Sequence, residues 1–130
     1  MATVTAQLSL TSSDLLSDNL SISVSTSVTA ANTTGLARRP VTATAVGASA
    51  TTLFTASDFD APAYLYVKNT DSTASDYIYV YDATTSGDPV ILKLAGGDWA
   101  FLPLNAGLTL KAYATTNPTL VEFMVIGTDA

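Results

Sequence analysis

The chain has 130 residues, of which 48% are hydrophobic and 12% are charged, and its formal net charge at pH 7 is −6. This length suffices for one compact domain, and a chain so poor in Lys and Arg lacks the basic surface that nucleic acid requires. With no His and no Cys, the usual zinc sites, Ser-His-Asp and Cys-His relays and disulfide bonds are excluded.

No stretch approaches the roughly 18 apolar residues of a membrane helix, and the N-terminus lacks the basic start and apolar core of a secretion signal. We therefore expect no membrane partner and no classical export.

The first third of the chain alternates small polar and aliphatic residues, and it contains no aromatic residue before Phe54. Residues 20–28 place aliphatic side chains on one face and hydroxyl side chains on the other, which is typical of a half-buried strand. Residues 3–10 repeat the pattern, and residues 41–46 are a weaker version. Because these residues can bury little area alone, we expect residues 1–47 to form an extended N-terminal arm that packs on its own or a neighbouring subunit.

From Phe54 onward the predicted strands are apolar on both faces and are separated by turn-rich segments. Turns at a spacing of about 8–12 residues, with no helix long enough for a parallel crossover, indicate a sandwich or small barrel. We predict an all-β fold, an antiparallel β-sandwich of jelly-roll-like type, with its body over residues 48–130. The strands expected in this part are residues 64–67, 77–81, 90–94, 99–102 and 121–126.

The second apolar face of these strands has two interpretations. In the first, the arm of the same chain covers this face; in the other, a neighbouring subunit covers it. Tyrosines on an exposed sheet face favour a neighbouring subunit. We therefore expect a homo-oligomer. The side chains expected at such an interface are Arg38, Arg39, Tyr64, Tyr66, Tyr77, Tyr79, Tyr81, Trp99, Phe101 and Phe123.

Two groups among these residues have alternative explanations. Arg38-Arg39 lies in an apparent loop between Gly35 and Pro40, where it either grips carboxylates of a partner or keeps the loop soluble. The tyrosines of residues 77–81 share one face, which would suit either subunit packing or the stacking of sugar rings. A carbohydrate-binding module therefore remains an alternative.

Acidic residues give no strong indication of a catalytic or metal site. Most aspartates fall in predicted turns, where they hydrogen-bond to their own backbone. Asp58 and Asp60 could offer oxygens to Ca²⁺, but they lack the ligand series and the glycine of a calcium loop, so a solvated turn before Pro62 is expected instead. Gly96-Gly97 is expected to form a hairpin turn. We predict no catalytic residue, cofactor or metal, and no enzyme.

Several segments together resemble the small β-sandwich virion proteins of tailed bacteriophages. They are residues 64–71, 77–80, 96–104, 110–114 and 121–123, which comprise an extended strand ending in Lys-Asn-Thr-Asp, a strand ending in proline and an apolar last strand.

The resemblance implies a structural protein, often trimeric, made in the host cytoplasm and placed on the capsid exterior. As a decoration or cement protein it would bind the major capsid protein and stabilise the head without catalysis. The family also includes tail and fibre-associated components, so the alternative is a module that binds host-surface carbohydrate.

Overall fold

The structure is a computed structural model that describes residues 2–30, 32–55, 57–105, 107–115 and 118–129, apart from the side chains of residues 61, 62, 128 and 129. Within these ranges the chain is all-β with antiparallel pairing, and no helix is long and apolar enough to cross a membrane. The strands are β1 (Ala2–Ser12), β2 (Leu20–Ala30), β3 (Asn32–Thr33), β4 (Ala37–Val41), β5 (Thr51–Phe54), β6 (Phe59–Asn69), β7 (Ile78–Asp82), β8 (Val90–Leu94), β9 (Trp99–Leu104), β10 (Leu110–Ala114) and β11 (Thr119–Asp129).

The chain divides into two compact units, Met1–Ala31 and Asn32–Ala130. The first unit contains the β1–β2 hairpin, whose register runs without a shift from Ala2↔Ala30 to Ser12↔Leu20. The strands expected over residues 3–10 and 20–28 are therefore confirmed. The boundary expected from the sequence was Gly47, but the second unit begins at Asn32. It includes β3 and β4 because both strands pair with β11.

The described residues of the second unit form two sheets. One has the order β5-β10-β7-β8, and the other has the order β3-β11-β6-β9, with β4 also pairing with β11. Thr34 joins the two short edge strands, since its N–H donates to the carbonyl of Val125 at 3.0 Å and its Oγ1 accepts from the Val125 N–H at 2.9 Å. Thus β3 and β4 form one interrupted edge of the five-stranded sheet.

The placement of Arg38-Arg39 in a loop was wrong, because both residues lie in β4. Glycine and proline flank this dipeptide in the sequence, and they suggested a turn. Pro40 is compatible with a strand here because β4 is an edge strand. Proline has no N–H to donate, and at an edge no further strand needs that hydrogen bond.

Both sheets contribute side chains to one hydrophobic core. Alternate residues of β6, β7 and β11 are fully buried, as the period of two along a strand requires. Phe54 and Phe59 stack within this core with their ring centroids 5.7 Å apart. Residues 58–60 were expected as a solvated turn, but Phe59 is buried and β6 begins there, so of these three residues only Asp58 lies in the turn.

Asn69 ties the end of β6 to β8 from a buried position. Its side-chain amide donates to the carbonyls of Asp76, at 2.7 Å, and Leu94, at 3.0 Å, while its Oδ1 accepts from the Asp71 N–H. Because a buried amide without partners would cost stability, these bonds account for an asparagine at the buried end of β6.

The strand expected over residues 41–46 is not present beyond Val41. Residues 42–50 instead form the connection from β4, in the five-stranded sheet, to β5, in the other sheet. The Tyr81 hydroxyl holds this loop, since it accepts from the Gly47 N–H at 3.1 Å and lies 3.4 Å from the Gly47 carbonyl. The alternating sequence suits a strand, but among the described residues the pairing of β4 with β11 ends at Val41↔Thr119, and after it the Ala43 carbonyl accepts a single backbone bond from the Ala114 N–H at 2.9 Å.

The Gly96-Gly97 turn joins β8 to β9, which belong to different sheets, so the expected hairpin is wrong. The N–H of Asp98 donates to the Ala95 carbonyl at 2.9 Å, and Gly97 adopts a φ of +89° that favours glycine. A Cβ on Gly96 would lie 2.3 Å from the carbonyl oxygen of Thr73. The second glycine thus provides the backbone angle, and the first permits close backbone packing.

Candidate interaction surfaces

The outer face of the five-stranded sheet carries a set of aromatic and charged side chains. Leu65 and Val67 of β6 point into the core, so the intervening residues point outward, and their cross-strand partners in β9 share that face. We call this surface the aromatic face and define it by Tyr64, Tyr66, Lys68, Trp99, Phe101, Pro103, Glu122 and Arg38.

Two features of the aromatic face suit contact with another molecule. Tyr64 and Phe101 stack with ring centroids 5.7 Å apart and planes 10° from parallel, so they form a rigid apolar patch. Trp99, at the start of β9, is 55% exposed. Exposed tryptophan beside packed aromatic rings is typical of the energetically dominant part of a protein interface.

A charged network crosses the same face. Glu122 accepts a hydrogen bond from the Arg38 Nε at 2.7 Å through Oε2, and one from the Tyr66 hydroxyl at 2.9 Å through Oε1. The Arg38 side chain is 68% exposed, whereas that of Glu122 is only 12% exposed. The guanidinium is therefore fixed at one nitrogen, and its other donors remain accessible.

The network shifts two pKa values in opposite directions. The hydrogen bond from Arg38, followed by that from Tyr66, lowers the pKa of Glu122 because both bonds stabilise the carboxylate. Burial, followed by the hydrogen bond to Glu122, raises the pKa of Tyr66. At neutral pH Glu122 is thus ionised and Tyr66 is protonated, as the hydrogen-bond geometry requires.

Opposite charges alternate across the strands at this level of the sheet. The register places Trp99, Lys68, Glu122 and Arg38 side by side on β9, β6, β11 and β4. Lys68 also contributes to lowering the pKa of Glu122. The exposed indole therefore stands beside a row of charges in which the single carboxylate has a cation on each side.

The outer face of the four-stranded sheet carries the other aromatic cluster, which we call the tyrosine ladder: Tyr77, Tyr79, Tyr81 and Tyr113. The rings of Tyr79 and Tyr113 stack at a centroid distance of 4.9 Å, and those of Tyr81 and Tyr113 are 5.8 Å apart. The Lys93 ammonium lies 4.1 Å from the centroid of the Tyr77 ring, a cation–π contact. Much of the ring surface is therefore used within the ladder itself.

Two side chains expected at an interface are buried. Tyr81 is 1% exposed, with its hydroxyl at the Gly47 backbone, and Phe123 is 2% exposed within the core. Arg39 lies over the Phe123 ring, with its guanidinium carbon 5.6 Å from the centroid. These aromatic residues stabilise the fold and are not available to a partner, whereas the Arg39 side chain reaches the surface.

Sequence reasoning missed Tyr113, Lys93 and Glu122 as members of these surfaces. Tyr113 lies two residues after Lys111, so both fall on the same face of a strand. The alternation within residues 110–114 could therefore have placed Tyr113 on an outer face. Glu122 is the single charged residue within the apolar residues 121–126. A lone carboxylate in such a strand indicates a specific partner, but the sequence does not indicate which one.

The described ranges contain no group of three or more Asp or Glu side chains arranged to hold a metal ion. Asp82 is a buried acid, and its carboxylate accepts from the Thr84 N–H at 2.8 Å and from the Thr85 hydroxyl. The Thr85 bond is the main cause that lowers the pKa of Asp82. This carboxylate therefore fastens the turn after β7.

Comparison of the chain with protein-family models, with curated proteins and with solved structures finds no match.

Proposed function

We propose that Asn32–Ala130 is an antiparallel β-sandwich of jelly-roll type. If β3 and β4 count as one strand, the described part of this unit has eight strands, which pair in the orders 1-8-3-6 and 2-7-4-5. A jelly roll, which consists of two Greek keys, has this pairing order. The single core to which both sheets contribute also supports this arrangement.

We further propose that the protein is a structural component of a phage virion, a decoration protein on the outside of the head. It binds the major capsid protein, associates with copies of itself and has no catalytic activity. Three features support this: the resemblance of residues 64–123 to small virion proteins, the jelly-roll strand order, which recurs in viral capsid proteins, and the aromatic face. Because one fold serves many functions, the aromatic face carries the argument.

The aromatic face is suited to a protein partner. Its Trp99 side chain provides a large apolar surface that a partner could bury, and the Tyr64–Phe101 stack beside it is already ordered. Lys68 and Arg38 supply charge near this centre, where it would set orientation more than affinity. Loss of a central tryptophan from such an interface costs about 2 kcal/mol or more, which is roughly a 30-fold weaker affinity.

Co-sedimentation with empty heads tests this function. The heads are assembled from the major capsid protein of the genome that encodes this chain, and the purified chain is added in increasing amounts. We expect saturable binding that Trp99→Ala weakens strongly. The matched control is Ile91→Ala, which removes an exposed apolar side chain from β8 of the other sheet. No binding by the wild-type chain, or equal binding by both variants, would contradict the proposal.

The tyrosine ladder favours a second candidate function, the binding of host-surface carbohydrate by a tail or fibre module. Stacked tyrosines on an exposed sheet face suit sugar rings. This function ranks second because Tyr79 and Tyr113 stack on each other, and Lys93 occupies one face of Tyr77. A glycan array in which Tyr79→Ala abolishes binding and Trp99→Ala does not would favour it, whereas a blank array would remove it.

A further inference from the structure

The tip of the β1–β2 hairpin exposes two leucines between two aspartates. Leu15 is 70% exposed and Leu16 is 56% exposed. Asp14 and Asp18 flank them and are the only charged side chains in Met1–Ala31. We call residues 14–18 the acidic tip. Such a segment presents apolar surface and negative charge together at the end of an uncharged hairpin.

The first part of the acidic tip is held in place by Ser12. Its Oγ accepts from the backbone N–H of Leu15 at 3.1 Å and of Asp14 at 3.3 Å, and it donates to the Asp14 carboxylate at 2.9 Å. These are the bonds of a helix N-cap, although no helix follows. The Asp14 carboxylate and the neighbouring leucine are therefore ordered before any partner arrives, which lowers the entropic cost of binding.

A surface of complementary character lies at the edge strand β4. Arg38 and Arg39 are adjacent and exposed, and consecutive strand residues project to opposite sides. Leu36 and Leu120 are exposed beside them, because Ala37 faces the core and Leu120 is the cross-strand partner of Pro40. We call Leu36, Arg38, Arg39 and Leu120 the β4 edge. It offers two guanidinium groups and two leucines.

Both guanidinium groups are oriented by contacts within their own unit. Glu122 holds Arg38 through Nε, while the Phe123 ring and the Thr52 carbonyl position Arg39. Each contact leaves other N–H donors of the fork accessible to a carboxylate. The β4 edge is therefore a preformed site for two carboxylates flanking apolar side chains.

The hairpin has the properties of an element that requires a partner. A two-stranded hairpin alone is at best marginally stable in water, and this one exposes Leu8, Leu10, Ile22 and Val24 on its aliphatic face. Its strands lack the charges, prolines and bulges that protect free edges. Eleven residues of strand extend about 35 Å, whereas a body of 99 residues has a radius of gyration of about 13 Å. The hairpin is long enough to reach across a neighbouring body.

We propose that the acidic tip of one copy docks on the β4 edge of a second copy of this chain. One carboxylate faces each guanidinium, and Leu15 and Leu16 cover Leu36 and Leu120. The contact joins two different surfaces, so it is heterologous and repeats from copy to copy until it closes as a ring, for example a trimer. This inference rests on the self-association in the proposed function and names the contact responsible for it.

The test measures the mass of the full chain in solution by light scattering, from micromolar to submillimolar concentrations. We expect an oligomer that Asp14→Lys with Asp18→Lys weakens by about tenfold or more, because two charge-assisted contacts become repulsive. Leu15→Ser with Leu16→Ser should have a similar effect. The control is Asp58→Lys, which reverses an exposed turn carboxylate of the second unit. Salt near 1 M, where the Debye length is about 3 Å, should also weaken association.

A charge-swap experiment distinguishes docking from a general effect of charge. Arg38→Asp with Arg39→Asp should be monomeric, and mixing it with the tip-reversed variant should restore assemblies containing both chains. Circular dichroism checks that each variant is folded. A wild-type chain that is monomeric at every concentration would overturn the inference, as would an oligomer that tip reversal leaves intact. Capsid binding by such a monomer would leave the virion function standing.

Discussion

The hydroxyl of Tyr66 donates a hydrogen bond to the Glu122 carboxylate at 2.9 Å, and the two residues are 56 positions apart in the chain. The other carboxylate oxygen pairs with Arg38 at 2.7 Å. The contact links β6 to β11, and Arg38 extends it to β4. Because both partners of the hydrogen bond titrate, the geometry of the aromatic face can be tested through pH.

We expect Glu122→Gln to lower the free energy of unfolding at pH 7 and to make stability less dependent on acid. The folded-state pKa of Glu122 is lowered by Arg38 and Tyr66, so its stabilising contribution is present above the ordinary value of 4.5. It is lost as pH falls through the folded-state pKa. The effect should be modest, because Arg38 is largely exposed.

Urea unfolding measured from pH 7 down to about pH 3 checks this linkage. The relevant quantity is the difference between wild type and variant, because the pKa of Asp82 is also lowered and contributes to the same acid range. Asp58→Asn makes the same chemical change in an exposed turn. If the two variants differ from wild type in the same way at every pH, the Glu122 network has no role in acid stability.

Tyr66 should be protonated to higher pH than an ordinary tyrosine. Burial and the bond to Glu122 raise its pKa above 10.0. Its contribution to stability is therefore complete below the unfolded-state value and is lost as pH rises through the folded-state pKa. The difference between the tyrosinate absorbance curves of wild type and Tyr66→Phe isolates this group. Glu122→Gln should bring its midpoint down, and a midpoint at or below 10.0 in the wild type would refute the assignment.

Gly96→Ala should destabilise the second unit by about 1–3 kcal/mol, the usual cost of forcing extra atoms into a packed site. The added Cβ would lie 2.3 Å from the Thr73 carbonyl oxygen, so backbone must move. Gly107→Ala is the matched control, because its Cβ would lie 3.5 Å from the nearest neighbour, an ordinary contact. Chemical denaturation measures both, and equal stabilities would mean that the turn after β8 yields easily.

Removal of residues 1–31 should leave a folded second unit, whereas removal of residues 1–47 should destabilise it. The longer deletion takes away β3, β4 and the fully buried Val41, whose burial alone contributes roughly 1.5 kcal/mol or more. Cooperative unfolding followed by circular dichroism compares the two truncations. If both unfold alike, the edge formed by β3 and β4 adds nothing to the fold.

Much of the strand pattern was predictable from sequence. The strands expected at residues 77–81, 90–94, 99–102 and 121–126 all overlap observed ones, because alternation and turn residues are local signals. Residues 41–46 alternate as well, yet only Val41 is in a strand. Conversely, Arg38-Arg39 lies in a strand despite its flanking Gly35 and Pro40. Pairing with β11 accounts for both outcomes, since Arg38-Arg39 pairs with it, and among the described residues that pairing ends at Val41.

The candidate surfaces were only partly predictable. Tyr79 and Tyr81 were expected on one face, and they do share it, but Tyr81 is buried by the loop that carries Gly47. Tyr113 joins them because β10 pairs with β7, a pairing between strands that are distant in sequence. Sequence alternation therefore identified which tyrosines face the same way but not which of them reach solvent.

The sequence by itself determined the all-β class, the lack of His and Cys chemistry and the side of each strand on which a residue lies. These follow from composition and from the period of two along a strand, which is a property of each strand alone. Only the tertiary structure decided that Arg38, Tyr66 and Glu122 meet. Arg38 and Glu122 are 84 positions apart, so no local pattern in the sequence links them. The reason is that the order of strands in a sheet depends on how the whole core packs. The residue pattern of a single strand carries no information about that order.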